Sequence, residues 1–471
     1  MYVVLGGGIG GLSAVHYLQK STLKHVRLIE ASSRLGGWIK TTKTPRGFIF
    51  EHGPRTVRPN GVAGENTLAL IEDLGLVSKV VPIPQNHPAA QNRLIYVNKE
   101  LHALPSNKIR SVFVTQPPFT KPLISALLHD LKAPKKLLKD ESIYDFVERR
   151  LGKEIAEYAV CPLVCGICAG DAKEISVKFL LKSLFEAEQA HGSIVKGMLI
   201  NMITRQSSSA FQTKCELFKR AVKEKWSVWS LDGGLELLPE TLTSSIKNQQ
   251  ADVLLSSPCE EIAFQAGKAT LKLRGNVFEC DHVISSLPAK QLAPLIAKQH
   301  PELGAELSSI PTVTVAVVNL QFQGKLLKED AFGFLVPPSE SVPILGIVFD
   351  TCCFPKGNNT VLTVMMGGRW FEQFFGEDPT PDTLLNTAVQ YVHSILHISS
   401  APAAHNVSLL KNCIPQYVVG HHERIERIKA YVNYHKLPLS LAGASYDGVG
   451  INDVILSART AVENLIKDIQ T

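Results

Sequence analysis

The stretch VVLGGGIGGLSAVHYL, Val3 to Leu18, decides the fold. It joins a short apolar run, Tyr2-Val3-Val4-Leu5, to glycines in G-x-G-x-x-G register at Gly6, Gly8 and Gly11. A helically spaced segment, Leu12 to Gln19, follows. Strand, tight turn and helix in that order open a dinucleotide-binding βαβ unit. Each glycine has its reason: Gly6 for the turn, Gly8 for backbone approach to a pyrophosphate, Gly11 for close packing of helix on strand. The anion then lies at the helix N-terminus, where N–H groups without helical acceptors and the macrodipole favour negative charge. A second strand, Val26 to Ile29, ends in Glu30, about 20 residues beyond the glycines. A carboxylate there accepts from ribose hydroxyls and repels a 2′-phosphate, which disfavours NADP.

The next segment chooses between FAD and NAD. Arg34-Leu35-Gly36-Gly37-Trp38 is an R-x-G-G run directly after the acidic strand end. It resembles the second flavin fingerprint of the flavin amine oxidase superfamily. Its glycines allow backbone close to a cofactor, and Arg34 is expected to neutralise phosphate charge. The glycines are therefore expected to hold the pyrophosphate of FAD.

At 471 residues the chain exceeds one hydrophobic core, so two or three domains are expected. A hydrophobic fraction of 45% and a charged fraction of 20% describe an ordinary folded protein. The formal charge of +6 is too mild to argue for nucleic acid. Most of it falls between Leu101 and Asp140, where Lys108, Arg110, Lys121, Lys132, Lys135, Lys136 and Lys139 face only Asp130 and Asp140. Nine scattered cysteines suggest free thiols rather than a disulfide framework. Cys161, Cys165 and Cys168 crowd together without a second ligand group at zinc-like spacing, so they read as buried thiols rather than a metal site. No apolar run reaches the ~18 residues of a membrane-spanning helix. No basic, Ser-rich presequence precedes the motif, so any organellar address is expected to be internal or already removed.

Further along, WSVWSLDGGLELL (Trp226 to Leu238) reads as strand, glycine turn and helix start. Strand-like runs follow near Val253–Leu255, Ile262–Gln265 and Thr270–Arg274, closing on Asp281 to Pro288. A last strand-plus-glycine segment, LSLAGASYDGVGI (Leu439 to Ile451), leads into a helix from about Asn452. Such a segment suits the isoalloxazine end of the cofactor. The expected fold is α/β: a discontinuous Rossmann-like FAD-binding domain of the flavin amine oxidase type (1–85, 226–288, 406–471). A β-rich substrate domain (86–92, 289–405) and an inserted helical membrane-binding domain (93–225) complete it. In the insert, Ile124 to Leu138 interleaves leucines with lysines, as in a helix lying on an anionic membrane or in a solvated helical face over a local core.

Beyond the cofactor motifs, FEHGPRTVRP, NHPAAQNRLIYV, VAVVNLQFQG, LGIVFD, KNCIPQY and LAGASYDGVGIND carry a resemblance over essentially the whole chain. It is similar to the protoporphyrinogen oxidase family, in its animal form. The resemblance implies flavin contacts at Gly6, Gly7, Gly8, Ile9, Gly10, Gly11, Glu30, Ala31, Arg34, Gly37 and Trp38. It also implies them at Gly53, Pro54, Arg55, Thr56, Cys259, Ala444, Val449, Gly450 and Ile451. Thr56 and Gly450 depart locally from some relatives, and Cys165 stands where animal relatives often carry Arg.

For the substrate, a large apolar tetrapyrrole with two propionates, the resemblance implies Arg93 as the propionate cation. A guanidinium grips a carboxylate bidentately, although a surface salt bridge is the plainer reading of an isolated Arg. Phe332, Gly333, Leu335, Val348, Met365 and Ile414 match positions around the macrocycle. The implied chemistry is six-electron oxidation to the porphyrin, by hydride transfer from a meso carbon to flavin N5. Non-covalent FAD is the cofactor, O2 the acceptor and hydrogen peroxide the by-product. No side chain is assigned as general base, and His87, His191, His421 and His422 are read as structural or surface. The resemblance further implies a homodimer on the mitochondrial inner membrane, facing the intermembrane space, with ferrochelatase as a neighbour. Rival readings are amine oxidases, a carotenoid-type desaturase and a flavin-free relative like the GDP-dissociation inhibitors. The intact R-x-G-G and terminal segment argue against the last, and the absence of a cysteine after Cys413 against covalent flavin.

Overall fold

The computed structural model describes residues 1–22, 24–105, 112–204, 213–355 and 357–470; Lys108 and Arg110 of the basic segment lie outside them. The chain divides into two units. One combines Met1–Pro84, Thr213–Pro311 and Glu423–Thr471, and the other Gln85–Gln212 and Thr312–His422.

In the first unit, the opening strand β1 (Tyr2–Leu5) is the centre of a five-stranded parallel sheet. The order is Leu439–Leu441, His282–Ser285, β1, β2 (Val26–Ile29), Asp252–Leu254. Strands buried on both faces read as continuous apolar runs, and here the alternation is resolved. Val4 and Leu28 face the helices α1 (Ile9–Ser21), Leu237–Asn248 and Ile451–Gln470. Val3, Leu5 and Ile29 face the other side, where the antiparallel meander Cys259–Gln265, Lys268–Leu273, Asn276–Cys280 contributes Ile262 and Leu271. Two meander strands and the strand Leu439–Leu441 stand where the sequence reading expects them, whereas the run near Val253–Leu255 joins the parallel sheet as Asp252–Leu254 and the third meander strand is Asn276–Cys280.

The second unit is built on a seven-stranded mixed sheet. Its order is Ala404–Pro415, Thr312–Gln323, Asn359–Gly368, Ile344–Phe349, Gly333–Leu335, Leu94–Val97, Glu100–Ala103. In the long strand, Ala316, Val318, Leu320 and Phe322 face a core closed by Leu384, Ala388 and Val392 of the helix Pro381–Leu396. Val313, Val315 and Val317 face the opposite way, onto Cys165 of the helix Cys161–Cys168. The same unit carries the helices Ile124–Lys132, Ile143–Leu151, Lys182–His191 and Ile194–Thr204.

Three sequence expectations are corrected. The helix expected over Ile124 to Leu138 ends at Lys132, because Pro134 disfavours helical geometry at Ala133, which is extended at φ −63°, ψ 134°. A boundary at residue 406 would cut the strand Ala404–Pro415, whose ladder to Thr312–Gln323 keeps it in the second unit. The expected helical domain 93–225 is not separate either. Leu94–Val97 and Glu100–Ala103 are strands of the mixed sheet, and residues from Thr213 onward belong to the first unit.

Candidate functional site

The first unit carries a cradle for a dinucleotide. β1 delivers the chain into a turn at Gly6, whose φ of +95° favours glycine, and α1 begins at Ile9. Gly8 caps that helix with no side-chain hydrogen bond and no acidic residue in the first turn, so the first-turn amides have no competing anion. A Cβ added at Gly11 would lie 1.8 Å from the Gly6 carbonyl oxygen, which is the close helix–strand packing expected of the third glycine. At Gly8 the nearest atom to such a Cβ is Gly37 Cα, 3.8 Å away. Only that one ordinary contact stands on the side from which a diphosphate would approach, and the residues present fit the group.

The R-x-G-G loop is fastened to this turn. Gly36 N–H donates to the Gly7 carbonyl (2.8 Å), and Gly37 sits at φ +57° against Gly8. Glu30 is half-buried at the end of β2, accepting from Gly7 N–H (2.6 Å) and Ser32 N–H (2.7 Å). Each oxygen retains acceptor capacity for a ribose hydroxyl. Ser257 N–H donates to the Glu30 carbonyl (2.9 Å), which brings the chain leading to Cys259 beside this end. Burial pushes the Cys259 thiol up to about 11.

The terminal segment expected at the flavin end borders the first turn of the same helix. A Cβ on Gly10 would meet Val454 Cγ1 at 3.1 Å and Gly443 Cα at 3.9 Å, so the strand-to-helix passage through Ala444 and Val449 to Ile451 borders α1. Gly450 N–H donates to Asp453 Oδ2 (3.2 Å), and burial holds the Asp453 carboxyl above the usual range. Gly53-Pro54-Arg55-Thr56 follows the strand Ile49–Glu51, with Arg55 buried. Paired backbone hydrogen bonds between Val57 and Trp229, both 2.8 Å, anchor its far side. Trp38 is 43% exposed.

Arg34 differs from expectation. Its guanidinium does not stand open toward a phosphate: it donates to the carbonyls of Gly37 (2.7 Å) and Ile39 (2.8 Å) and to Glu236 (3.1 Å). Sequence reasoning also missed Ser286, whose hydroxyl lies within hydrogen-bond distance of the carbonyls of Leu5 (2.9 Å) and Gly6 (3.1 Å) and steadies the strand end. A serine closing the neighbouring strand was the available signal.

In the second unit the ladder brings most of the expected substrate positions together. Gly333 pairs with Val348, and Leu335 with Gly346, which in turn pairs with Met365. Phe332 N–H donates to the Asn92 carbonyl (3.2 Å), and Phe334 pairs with Leu94, so Arg93 stands at the same end of the sheet, exposed. Leu335, Val348 and Met365 share one face and are only half-buried, whereas their neighbours Phe334, Ile347 and Val364 are buried on the other. Ile414 is half-buried too, yet it pairs with Val313 on the edge strand. That position is three strands across from Val348 and about 20 Å along. It adjoins Cys165 and Met365 in one apolar cluster and not the Arg93 end.

The three clustered cysteines are buried, as expected, and burial raises their thiols, Cys161 and Cys168 to about 12 and Cys165 well above its usual value. His87 caps a helix through Nδ1 (3.2 Å from Ala89 N), and His421 stacks on Tyr417 at 3.9 Å, both structural tasks.

The family model for flavin-containing amine oxidoreductases matches residues 9–466. Human protoporphyrinogen oxidase is 42% identical over 98% of both chains, and that of Schizosaccharomyces pombe 30% identical over 98% of both. A solved chain from Exiguobacterium sp. 255-15, assigned as a protoporphyrinogen oxidase, superposes with a TM-score of 0.80 at 25% identity, covering 99% of this chain and 98% of its own. The chain belongs to the flavin-containing amine oxidoreductase family, in its protoporphyrinogen oxidase branch.

Proposed function

We propose that the protein is an FAD-dependent oxidase that converts protoporphyrinogen IX to protoporphyrin IX, the penultimate step of haem biosynthesis. The observation that carries this reading is the 42% identity to the human enzyme across 98% of both chains. Six electrons leave the substrate in three two-electron steps, and three O2 are reduced to three hydrogen peroxide. Bound FAD supplies the two-electron acceptor chemistry.

The chain's own residues bind and orient. The α1 N-terminus and Gly8 receive the diphosphate, and Glu30 accepts from the ribose. Leu335, Val348 and Met365 provide an apolar floor that excludes water, and Arg93 grips one propionate. No side chain is assigned as proton acceptor.

The proposal extends to a membrane surface. No helix among the described residues is long and apolar enough to cross a membrane. The helix Ile194–Thr204 nevertheless exposes Met198, Leu199, Met202 and Ile203, and Ile124–Lys132 exposes Leu127, Leu128 and Leu131. Exposed apolar side chains in a region carrying Lys132, Lys135, Lys136 and Lys196 support docking on anionic headgroups. The family resemblance supports the mitochondrial inner membrane, its intermembrane-space side, a homodimer, and product release beside ferrochelatase.

Aerobic turnover of purified, yellow protein with protoporphyrinogen IX tests the reading. Growth of a porphyrin Soret band above the spontaneous rate supports it. A folded, flavin-loaded protein that gives no porphyrin but lengthens a polyene would favour the desaturase reading. Flotation with anionic and zwitterionic vesicles tests the surface: Leu128→Asp with Met202→Asp should abolish binding to anionic vesicles.

A further inference from the structure

The glycine turn of LDGGLE, Leu231 to Glu236, has no role in the chemistry above, yet its hydrogen bonds lead to the dinucleotide cradle. Glu236 Oε1 receives Arg34, and Oε2 accepts from Thr41 N–H (2.7 Å). The Glu236 N–H donates back to Thr41 Oγ1 (3.2 Å). The Thr41 hydroxyl donates to Glu51 Oε2 (2.7 Å), and Glu51 Oε1 accepts from Leu235 N–H (2.7 Å). Glu51 is buried. The turn can lie this close only because Gly234 has no side chain: at φ +101° a Cβ would fall 2.4 Å from Thr41 Cγ2. From Glu236 the connection passes through Arg34 to the Gly37 carbonyl, and Gly37 packs on Gly8.

We propose that Glu236 and Glu51 are positioning residues for the flavin dinucleotide, holding the R-x-G-G loop through Arg34 and Thr41 in the shape that receives the diphosphate. This rests on the reading that the cradle takes FAD. Two adjacent glycines make Gly36-Gly37 costly to order, and an unfastened loop would have to be ordered by the ligand itself. Arg34 then acts through backbone carbonyls, its charge satisfied by Glu236 rather than by phosphate. The two roles for Arg34 predict opposite signs. If Arg34 were a direct phosphate ligand restrained by Glu236, removing the carboxylate would release the guanidinium and tighten binding.

The test is titration of apo-protein with FAD, followed by flavin fluorescence quenching well below the melting temperature, with ADP as a probe of the diphosphate cradle alone. Glu236→Ala should weaken both FAD and ADP about tenfold, equivalent to ~1.4 kcal/mol. Glu236→Gln, which keeps an acceptor, should restore part of the loss. Thr41→Val breaks the link between the two carboxylates without changing charge. It should weaken FAD severalfold and serves if Glu236→Ala does not fold. Unchanged or tighter FAD binding in folded Glu236→Ala or Thr41→Val overturns the inference. So does a lowered apo-protein melting temperature with an unchanged dissociation constant. Failure of the wild-type protein to bind FAD would instead sink the functional reading on which the inference rests.

Discussion

Replacing Gly8 with alanine should separate the fold from the cofactor. The backbone there is extended, at φ −73° and ψ −177°, a conformation alanine adopts freely. The added methyl meets nothing nearer than Gly37 Cα at 3.8 Å, an ordinary contact. The apo-protein should therefore gain about 0.4–1 kcal/mol from the reduced entropy of its unfolded chain and lose a comparable amount because alanine is a poorer N-cap than glycine, leaving its stability nearly unchanged. Its melting temperature should shift by no more than about 2 °C in either direction. The methyl nevertheless occupies the side from which a diphosphate reaches the helix amides. Losing one or two charge-assisted hydrogen bonds, at about 1.5–3 kcal/mol each, weakens FAD by roughly ten- to a thousandfold or more. Gly11→Ala is the control with the opposite profile. Its Cβ would lie 1.8 Å from the Gly6 carbonyl oxygen, so α1 must move off the sheet. The apo-protein should lose about 1–3 kcal/mol or more. Differential scanning fluorimetry of both apo-proteins and FAD titration of both variants give the four numbers. A tightly flavin-bound Gly8→Ala protein, or one whose apo-form melts several degrees lower, would refute the assignment of this opening.

Arg93→Ala should raise KM for the porphyrinogen about ten- to a hundredfold with kcat nearly unchanged, and Arg93→Lys should recover only part, as steady-state assays will report. Burial lowers His282 to about 4, and its Nε2 meets Ser440 Oγ at 2.8 Å. The folded state keeps it neutral while the unfolded chain takes up a proton below ~6.5, so stability falls as pH drops from ~6.5 toward 4, by up to about 3 kcal/mol. His282→Gln should flatten that slope in urea titrations across this window. Asp130 and Arg150 are both fully buried and paired, and Asp130 also accepts from Ser193 (2.5 Å), Val195 N–H (2.9 Å) and Ile194 N–H (3.2 Å). Burial pushes this carboxyl up, yet these hydrogen bonds outweigh it and hold the group below the usual range. Its contribution is complete above the ordinary carboxylate pKa of ~4 and is lost only as pH falls through the lower folded value. Asp130→Asn should cost about 3–5 kcal/mol, seen as faster amide exchange in Ile124–Lys132 and Ile194–Thr204.

What the sequence discloses by itself is what short range determines. Gly6, Gly8, Gly11 and Glu30 belong to one local strand–turn–helix–strand unit, so their spacing carries their geometry. The end of the helix at Lys132 was equally local, with Pro134 as its signal, but the leucine periodicity running on to Leu138 obscured it. Other features depend on partners distant in sequence. Arg34 reads as a phosphate ligand because nothing near it reveals Glu236, 202 positions away. The strand Ala404–Pro415 joins the second unit because of its pairing with Thr312–Gln323, which no window along the chain contains. The spread of Ile414 away from Val348 likewise follows from strand order, which resemblance to a set of apolar positions does not carry.

The threading of the parallel sheet has a consequence for biogenesis. Its central strand is Tyr2–Leu5, one neighbour is His282–Ser285, and the strand beyond that is Leu439–Leu441. At about 5–20 residues per second, a ribosome needs roughly 20–90 s between the first of these and the last. Until His282–Ser285 emerges, roughly 14–56 s after the first strand, Tyr2–Leu5 can pair only with Val26–Ile29. His282–Ser285 in turn waits for Leu439–Leu441, so one hydrogen-bonding edge of the sheet lacks its native neighbour throughout. The cradle's glycines emerge first, yet the strand–helix passage that borders them at Gly10 emerges almost last. Holdase chaperones therefore meet an open-edged nascent chain, and cofactor loading becomes a late event in the life of each molecule.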